Sequence, residues 1–328
     1  MTVTDDRSEA RGRGALEDWI DRYFDAVIDD APERLPLADD VRFTENGQRL
    51  RIGDGLWRSM RGVGSYRLVV ADVPAGVVAA LGTIREDSDE REDGLPTTVA
   101  LRLSVDGGEI GEIEQMVIRR DAETAERIED LGEPREAFRT AVPEADRTSR
   151  GALIETANEY FDGMQRNDGT GEYPFAEDAH RIENGRPTTN VPVPEGESVP
   201  DPETAAEYSY HWSPAEQFES GLLHFVTRIR DRRFVAVDRE RGLVFCIGFF
   251  DHAAGETRTF ETPAGHTVTA GPAQPWTWYI AEVFGIRDGL IGPIEAVMTE
   301  VPYGMQSGWS THVEGTSDVP RNVTGRFE

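Results

Sequence analysis

A carboxylate and an imidazole in the second half of the chain have the residue types that general acid–base chemistry needs. Glu183 lies beside Ile182 and close to His180, and we place His180 and Glu183 on the same face of one strand. Removing a proton beside a carbonyl or hydroxyl group requires a base tuned towards neutral pH and a donor for the developing oxyanion. A carboxylate that faces an apolar cavity has a raised pKa, because burial disfavours its charged form. Glu183 or His180 is therefore the expected base.

The chain repeats itself, since four pairs of matching segments occur in the same order in its two halves. The pairs are residues 23–25 with 160–162, 37–47 with 175–185, 55–82 with 221–248, and 108–114 with 289–295. The spacing between the copies only grows along the chain, which places insertions at about 187–213 and 257–278 of the second copy. We therefore interpret the chain as a tandem duplication, with a repeat one and a longer repeat two.

The alignment of the two repeats favours repeat two as the more catalytic half. Arg42 stands where repeat two has His180, and Arg58 stands where it has His224. Only repeat two keeps titratable imidazoles at these positions, whereas repeat one has permanent cations that could bind an anionic or oxygen-rich part of a ligand. The alternatives are a solvated strand histidine at position 180 and a buried core histidine at position 224.

Each repeat is predicted to begin with helices. Apolar residues at helical spacing predict a helix over residues 16–28, and its counterpart begins after an N-cap at Thr148 or Ser149. A capping box that starts at Ser213 predicts a further helix reaching about Val226.

Strands follow the helices in both repeats. They are expected at residues 68–73, 77–84, 97–105 and 110–118, and at 234–237, 243–250, 277–284 and 294–301. Helices followed by a run of hairpin strands indicate an α+β fold, with helices on one face of an antiparallel sheet.

The start of each repeat resembles the nuclear-transport-factor-2-like superfamily, which includes ketosteroid isomerase, scytalone dehydratase and the SnoaL polyketide cyclases. The resemblance rests on the helical tyrosine in residues 22–24 and on the sequence LADDVRFTENG at residues 37–47. It is closest to uncharacterised SnoaL-like proteins that carry RFTENGQ followed by GxGLW. The resemblance implies two tandem cone-shaped domains, each with helices on a strongly curved sheet around an apolar cavity. Members are isomerases, dehydratases, cyclases or non-catalytic binders, so fold does not settle function.

The resemblance also implies roles for individual residues. The ketosteroid-isomerase pattern places its oxyanion-stabilising tyrosine on Tyr23 and Tyr160, and its proton-shuttling carboxylate on Glu45 and Glu183. The second oxyanion acid of that pattern has no counterpart that we can place. The alternatives are tyrosines buried in the core with satisfied hydroxyl groups, and glutamates that flank a hairpin because each precedes an Asn-Gly turn.

Aromatic residues of repeat two are the other candidates for ligand binding. Tyr210 and His211 in the first insertion, with the adjacent Trp212, form either a lid over the pocket or packing within the insertion. Three tryptophans could belong to the core or to a cavity wall, namely Trp57, Trp276 and Trp278. The Asp251-His252 dipeptide is interpreted as either a ligand-binding pair or a turn at a strand end.

Composition limits the classes of partner and site. With 34 Arg and no Lys against 62 acidic residues, the 328-residue chain carries a net charge of −28, which repels nucleic acid and anionic lipid. The single cysteine, Cys246, excludes a disulfide framework, and we find no metal or cofactor fingerprint. No apolar segment approaches the ~18 residues of a membrane helix, and the amino terminus has no apolar signal core. We expect a cytoplasmic protein without cofactor or metal.

The acidic residues are spread along the whole chain, which suggests a protein from a high-salt organism. Many carboxylates keep a surface hydrated, and salt screens their mutual repulsion. We expect the unfolding midpoint to rise from low salt to molar salt. Thermal or urea unfolding at several salt concentrations measures this, and equal midpoints would show an ordinary acidic protein instead.

The sequence predicts two α+β domains at residues 15–142 and 148–312, flanked by a disordered tail at 1–14 and a second tail at 313–328. The expected function is cofactor-free acid–base catalysis on a small, largely apolar, oxygenated molecule, as in an isomerase, dehydratase, cyclase or retro-aldol lyase. The alternatives are a small-molecule binding protein without turnover, and a structural tandem domain with filled cavities. A homodimer is possible.

Overall fold

The first helix, α1 (Arg13–Ile28), buries one apolar stripe and confirms the helix expected at residues 16–28. The computed structural model describes residues 12–119, 121–171 and 173–323. Most of the expected N-terminal tail therefore lies outside the described residues. Arg13, which was assigned to that tail, opens the helix and forms an ion pair with Asp238 of repeat two.

Repeat one folds into a six-stranded sheet. Its strands are β1 (Leu37–Glu45), β2 (Gln48–Arg49), β3 (Met60–Asp72), β4 (Val77–Glu86), β5 (Leu95–Asp106) and β6 (Glu109–Ile118). Their order is β2-β1-β6-β5-β4-β3, with β1 parallel to β6 and the other pairs antiparallel. The predicted Asn46-Gly47 turn joins β1 to β2, and both residues have the positive φ values that such a hairpin requires.

Two helices, α2 (Ala122–Asp130) and α3 (Glu136–Arg139), connect the repeats, and α4 (Arg150–Arg166) opens repeat two. Ser149 is the N-cap of α4, because its side chain accepts a hydrogen bond from the backbone N–H of Ala152. This confirms one of the two predicted caps. Leu153, Ala157 and Tyr160 are among the α4 residues buried against the second sheet.

Repeat two forms the second sheet. Its strands are β7 (Phe175–Glu183), β8 (Arg186–Pro187), β9 (Arg228–Asp238), β10 (Leu243–His252), β13 (Trp276–Arg287), β14 (Leu290–Val301) and β15 (Arg321–Asn322). The order is β15-β9-β10-β13-β14-β7-β8, with β7 parallel to β14. The six main strands have the order of their repeat-one counterparts, and β15 is added at one edge. A separate hairpin of β11 (Thr259–Glu261) and β12 (Thr267–Thr269) lies in the second insertion.

The helix predicted from Ser213 is correct in its start and wrong in its length. The capping box of Ser213 and Glu216 opens α5 (Pro214–Glu219), but the helix does not reach Val226. Gly221 adopts a left-handed conformation with φ of 71°, which interrupts the helical path, and a single 3-10 turn follows over Leu222–Phe225. The last helix, α6 (His312–Gly315), precedes β15.

The two sheets share one buried layer, which makes the molecule α+β with two mixed sheets. Helix α1 covers one face of the first sheet and α4 covers one face of the second. The opposite faces pack against each other through Tyr66, Val70, Phe245, Phe249 and Tyr279, among other residues. Helices α1 and α4 therefore lie on the outside with the two sheets between them, while α2 and α3 contribute Ile128 and Phe138 to the shared layer.

Charged groups cross this shared layer. The guanidinium of Arg233 donates two hydrogen bonds to Glu114, at 2.9 and 2.7 Å, and both side chains are about 1% exposed. The Tyr279 hydroxyl donates a third hydrogen bond to Glu114. On the equivalent strand of repeat two, Glu295 accepts a hydrogen bond of 2.7 Å from Tyr66 of repeat one. Each repeat thus donates hydrogen bonds to a buried carboxylate of the other repeat.

The C-terminal segment, residues 302–323, also joins the repeats. Its Trp309 donates a hydrogen bond of 2.7 Å to Thr44 on β1, and Gln306 lies close to Gly47. The segment then returns to repeat two, where β15 pairs in parallel with β9. In the part of the chain that the structure describes, no helix is both long and apolar enough to cross a membrane.

Candidate functional site

A pocket of about 500 Å³ opens at one end of the second sheet, between the two insertions of repeat two. The first insertion contributes Glu207 and Tyr208 to its wall, and the second contributes Arg258 together with Thr269–Pro272. The remaining wall consists of Leu222, Phe225, His252, Trp276 and Trp278. We call this the aromatic pocket. Its volume lies in the usual range for small-molecule sites, and the structure places two of the predicted tryptophans in its wall.

His252 is the titratable side chain buried in this wall. It ends β10, pairs across the sheet with Trp276, and is only 1% exposed. Its ring stacks on the Trp276 ring with centroids 3.9 Å apart, and the edge of Trp278 lies at 4.7 Å. Phe225 covers the other side at 5.9 Å. His252 is therefore held rigidly between aromatic rings.

Neither ring nitrogen of His252 has a hydrogen-bond partner among the described residues. Burial lowers the pKa of His252 to about 4, although the nearby Asp251 charge acts in the opposite direction. The imidazole is thus neutral at pH 7, with one N–H donor and one acceptor nitrogen. A buried polar group of this kind costs stability unless something else bonds to it.

Asp251 faces away from the pocket, because neighbouring strand residues point to opposite faces of a sheet. Its carboxylate accepts hydrogen bonds from Arg228, Arg230 and Thr277. Burial alone would raise the pKa of Asp251, but these three hydrogen bonds outweigh it and lower the pKa. The Asp251-His252 dipeptide is therefore neither a ligand pair nor a turn. It is a strand end in which Asp251 anchors the backbone and His252 faces the pocket.

Behind the pocket lies a cluster of interior polar residues, centred on Arg181. Arg181 is 2% exposed, and its guanidinium donates hydrogen bonds to Tyr160 at 3.1 Å and Gln217 at 2.8 Å. It also lies 3.4 Å from Glu183. The Nη2 of Arg181, which bonds to Gln217, also donates to the hydroxyl oxygen of Tyr208, which lines the aromatic pocket. The cluster therefore reaches the pocket through Tyr208.

Glu282 is the second ionisable group that sequence reasoning missed. It lies on β13 opposite Cys246, is 1% exposed, and neither carboxylate oxygen has a hydrogen-bond partner among the described residues. Burial and the nearby charge of Glu183 raise the pKa of Glu282 to about 8, despite the opposing effects of Arg181 and the neighbouring Tyr160 hydroxyl. Glu282 is therefore a protonated, neutral acid at pH 7.

Repeat one lacks both of these groups. The residue equivalent to Arg181 is Phe43, and the β-sheet register makes Leu101 equivalent to Glu282. Alternating positions of β13 place Trp276, Trp278, Ile280 and Glu282 on one face. A glutamate within such an apolar series is the sequence signal that could have found Glu282. Arg181, two residues before Glu183 on the same strand, could have been found in the same way.

The predicted residues of repeat one form a closed hydrogen-bond network. The Tyr23 hydroxyl donates to Gln115 at 2.9 Å, and Gln115 donates to Glu45 at 2.8 Å. Glu45 also accepts from the backbone N–H of Leu56 at 2.7 Å and from Arg119 at 2.5 Å. Trp57, buried in the same core, packs edge-on against Tyr23. These residues are brought together as expected, but their groups bond to one another.

His180 does not share a strand face with Glu183. The two residues are three positions apart on β7, so they point to opposite sides, and Arg181 takes the predicted place beside Glu183. His180 lines a separate groove of about 510 Å³ together with Arg135 and Asn190. Burial lowers the pKa of His180. The predicted His–carboxylate pair is therefore not formed.

His224 and the two arginines of repeat one lie outside the interior. His224 packs against Phe260 with ring centroids 4.8 Å apart. Arg42 lies over the ring of Trp309, and Arg58 forms an exposed ion pair with Asp30 at 3.2 Å. That these arginines bind an anionic or oxygen-rich part of a ligand stays a prediction.

The aromatic residues of the first insertion have different surroundings. Trp212 is fully buried, and its indole N–H donates to the carbonyl oxygen of Pro200. A ring nitrogen of His211 lies 2.7 Å from the carbonyl oxygen of Val191. Tyr210 is 53% exposed and packs edge-on against Tyr208. Trp212 and His211 hold the insertion in shape, and Tyr208 is the residue that reaches the pocket.

A protein-family model described as "Domain of unknown function (DUF8021)" matches residues 9–117 and 146–298. The two matched segments fall on the two sequence repeats. No curated protein matches the chain. In the described ranges, no group of three His, Cys, Asp or Glu side chains is arranged to hold a metal ion.

Proposed function

The chain belongs to the DUF8021 family, and we propose that its second repeat binds a small, flat, largely apolar molecule that carries an oxygen atom, and acts on it by acid–base chemistry. The reaction class is an isomerisation, dehydration, cyclisation or retro-aldol cleavage. The resemblance to the nuclear-transport-factor-2-like superfamily supports the same proposal, and so do helices on one face of each sheet, as a cone would require.

One observation carries the proposal: a buried, neutral histidine stacked between aromatic rings in the wall of an aromatic pocket. The flat faces of Trp276 and Trp278 favour stacking with a ring, because aromatic pairs gain about 0.5–1.5 kcal/mol beyond burial. His252 then supplies the polar group that orients the ligand.

His252 is already deprotonated at pH 7, although its pKa of about 4 makes it a weaker base than an ordinary histidine. In the proposed step, the acceptor nitrogen of His252 takes the proton from a carbon beside the ligand carbonyl. The electron pair moves to the carbonyl oxygen and forms an enolate, and the same proton returns to a different atom of the ligand.

The second candidate function is binding without turnover. It is favoured by the position of the predicted residues Tyr160 and Glu183 and of the newly found Glu282, none of which lines the pocket. In a carrier of this kind, His252 would recognise the ligand oxygen and no proton would be removed from carbon.

We expect His252→Phe to weaken binding of 2-naphthol by about fivefold to tenfold, because a hydrogen bond worth about 1 kcal/mol is lost while the ring stack is kept. Quenching of tryptophan fluorescence measures the affinity. Naphthalene, which has no oxygen, should bind equally to both proteins. His266→Phe, at an exposed histidine outside the pocket, is the matched control.

Proton transfer itself is tested with 2-tetralone in heavy water, where NMR follows the loss of the hydrogen atoms beside the carbonyl. The acid–base proposal predicts faster exchange with the protein, and loss of that acceleration in His252→Phe. Binding of 2-naphthol without any acceleration would select the carrier function. If neither compound binds, the proposal for the aromatic pocket is wrong.

A further inference from the structure

We propose that Glu295 makes the contact between the two repeats sensitive to pH on one side of the shared layer. While its carboxyl group is protonated, β3 and α3 stay packed on β14. When the proton is lost, this region opens locally without unfolding of the whole protein. We call it the Glu295 contact. The inference concerns the joint between the repeats and does not depend on the aromatic pocket.

Glu295 is buried between the repeats and is bonded to a neutral group. It is 4% exposed, and its Oε2 accepts a hydrogen bond of 2.7 Å from the hydroxyl group of Tyr66, which is 2% exposed. Among the described residues, no arginine or histidine forms an ion pair with Glu295. Ionisation would therefore leave a buried charge without a counter-charge, which is strongly unfavourable.

The carboxylate on the other side of the shared layer is held differently. Glu114, on the equivalent strand of repeat one, accepts two hydrogen bonds from Arg233 and one from Tyr279. Arg67, which the sequence repeat aligns with Arg233, forms an ion pair with Asp21 at the surface instead. Both contacts thus contain a tyrosine, but an arginine bonds to the carboxylate in only one of them.

The groups that surround Glu295 do not replace this arginine. Its paired residues on the two neighbouring strands are Val283 and Ile182, and α2 contributes Ile128 to the same layer. His180 lies two positions before Ile182 and therefore on the same face of β7. Burial lowers the pKa of His180, so this imidazole is neutral near pH 7.

Arg135 acts on Glu295 through its charge, without a hydrogen bond to it. Burial raises the pKa of Glu295 to about 7, while the hydrogen bond from Tyr66 and the charge of Arg135 oppose the rise. Arg135 is exposed and directly precedes α3, which packs on β14. Local opening of this region would bring water and the guanidinium of Arg135 to the ionised carboxylate.

The direction of the pH effect follows from the closed and open forms. In the open form Glu295 ionises near the usual pKa of 4.5, and in the closed form it ionises near 7. Between these values mainly the open form releases its proton, so the open fraction rises with pH, and it levels off above about 7. We expect the open fraction to increase by about tenfold or more between pH 5 and 7.5.

Hydrogen exchange followed by mass spectrometry measures this opening, once each rate is corrected for the intrinsic effect of pH on exchange. Residues 60–72 of β3 and 136–139 of α3 report on the Glu295 contact, and residues 277–281 in the middle of the second sheet report on global unfolding. The first two segments should exchange faster than the third. Their protection should fall by about tenfold or more from pH 5 to 7.5, and Glu295→Gln should abolish this fall.

Two further variants complete the test. Glu300→Gln, at an exposed glutamate on the same strand, is the matched control and should keep the wild-type pH dependence. Arg135→Gln removes the nearby cation and should raise the pKa of Glu295 further, so that opening continues to increase above pH 7. Since Arg135 is exposed, this variant decides the question if Glu295→Gln does not fold.

An equal pH dependence of residues 60–72 in the wild type and Glu295→Gln would overturn the proposal. Exchange of residues 60–72 and 277–281 at one common rate would also overturn it, because the opening would then be global unfolding. Glu282 lies on the opposite face of the second sheet and is present in both proteins. It therefore cannot account for a difference between them.

Discussion

Replacing Glu282 by leucine is expected to stabilise the protein at pH 8 and to have a much smaller effect at pH 5. Leucine is the residue that repeat one has at the equivalent position, Leu101, where it is packed in the core. Glu282 is buried without a hydrogen-bond partner, and its pKa in the folded protein is about 8 instead of the usual 4.5. The folded state therefore binds a proton that the unfolded state releases.

The direction of the pH dependence follows from this difference. Below the unfolded pKa the acid is neutral in both states, and its burial costs least. As the pH rises from about 4.5 to 8, only the unfolded chain ionises, so the free energy of unfolding falls continuously. One pKa unit corresponds to 1.36 kcal/mol, so the loss is on the order of 2–4 kcal/mol at pH 8. Glu282→Leu removes this loss and also buries apolar surface.

Urea unfolding of the wild type, Glu282→Leu and Glu282→Gln at pH 5, 6.5 and 8 measures the effect. Both variants should show a flatter pH dependence than the wild type. Glu300→Gln, at an exposed glutamate on β14, is the control and should reproduce the wild-type slope. An unchanged slope in Glu282→Leu would show that Glu282 is already ionised in the folded protein near pH 7.

Arg233→Met is expected to lower the free energy of unfolding by about 3–5 kcal/mol, because it leaves the charge of Glu114 buried between the sheets without its cation. Arg233 supplies two of the three hydrogen bonds that Glu114 receives from repeat two. The Tyr279 hydroxyl at 3.2 Å is neutral and cannot compensate for a lost guanidinium. A buried carboxylate that loses its partner is among the largest single-residue penalties.

Arg67→Met is the matched control, since the sequence repeat aligns Arg67 with Arg233. Arg67 forms an ion pair with Asp21 at the surface, where such pairs contribute about 0–1 kcal/mol. The double variant Arg233→Met with Glu114→Leu should recover most of the stability, because both charges are then removed together. A small loss in Arg233→Met would mean that water or Arg102, at 3.7 Å, takes over the pairing.

The elements of the fold could largely be predicted, because periodicity and capping are local signals. Helix α1, the Ser149 cap, the Ser213 capping box and both Asn-Gly hairpins follow directly from the sequence. The start of β3 was missed, since its residues from Met60 to Arg67 are polar or glycine at alternate positions. The helix after Ser213 was drawn too long, because a glycine in a left-handed conformation ended it.

The interior of the candidate site was harder to predict, for a geometric reason. Tyr160 and Glu183 are in the expected neighbourhood, but Arg181 was overlooked, and His180 was placed beside Glu183 against the two-residue period of a strand. Tyr208 reaches Arg181 only through the folding of a long insertion, which no local pattern describes. His252 was considered only as half of an Asp251-His252 pair or turn, and the structure places it at the end of β10.

The shared layer between the sheets has a consequence for any attempt to divide the protein. Each sheet supplies half of the other's core, and the C-terminal segment runs across to β1 before it returns to β9. A fragment obtained by cutting the chain between the two repeats, near residues 143–149, would expose an apolar sheet face and a buried carboxylate to water. Recombination that exchanged one half alone would break these contacts. The two repeats are therefore expected to evolve together. Divergence between them is expected on the helix-covered faces, which lie outside the shared layer.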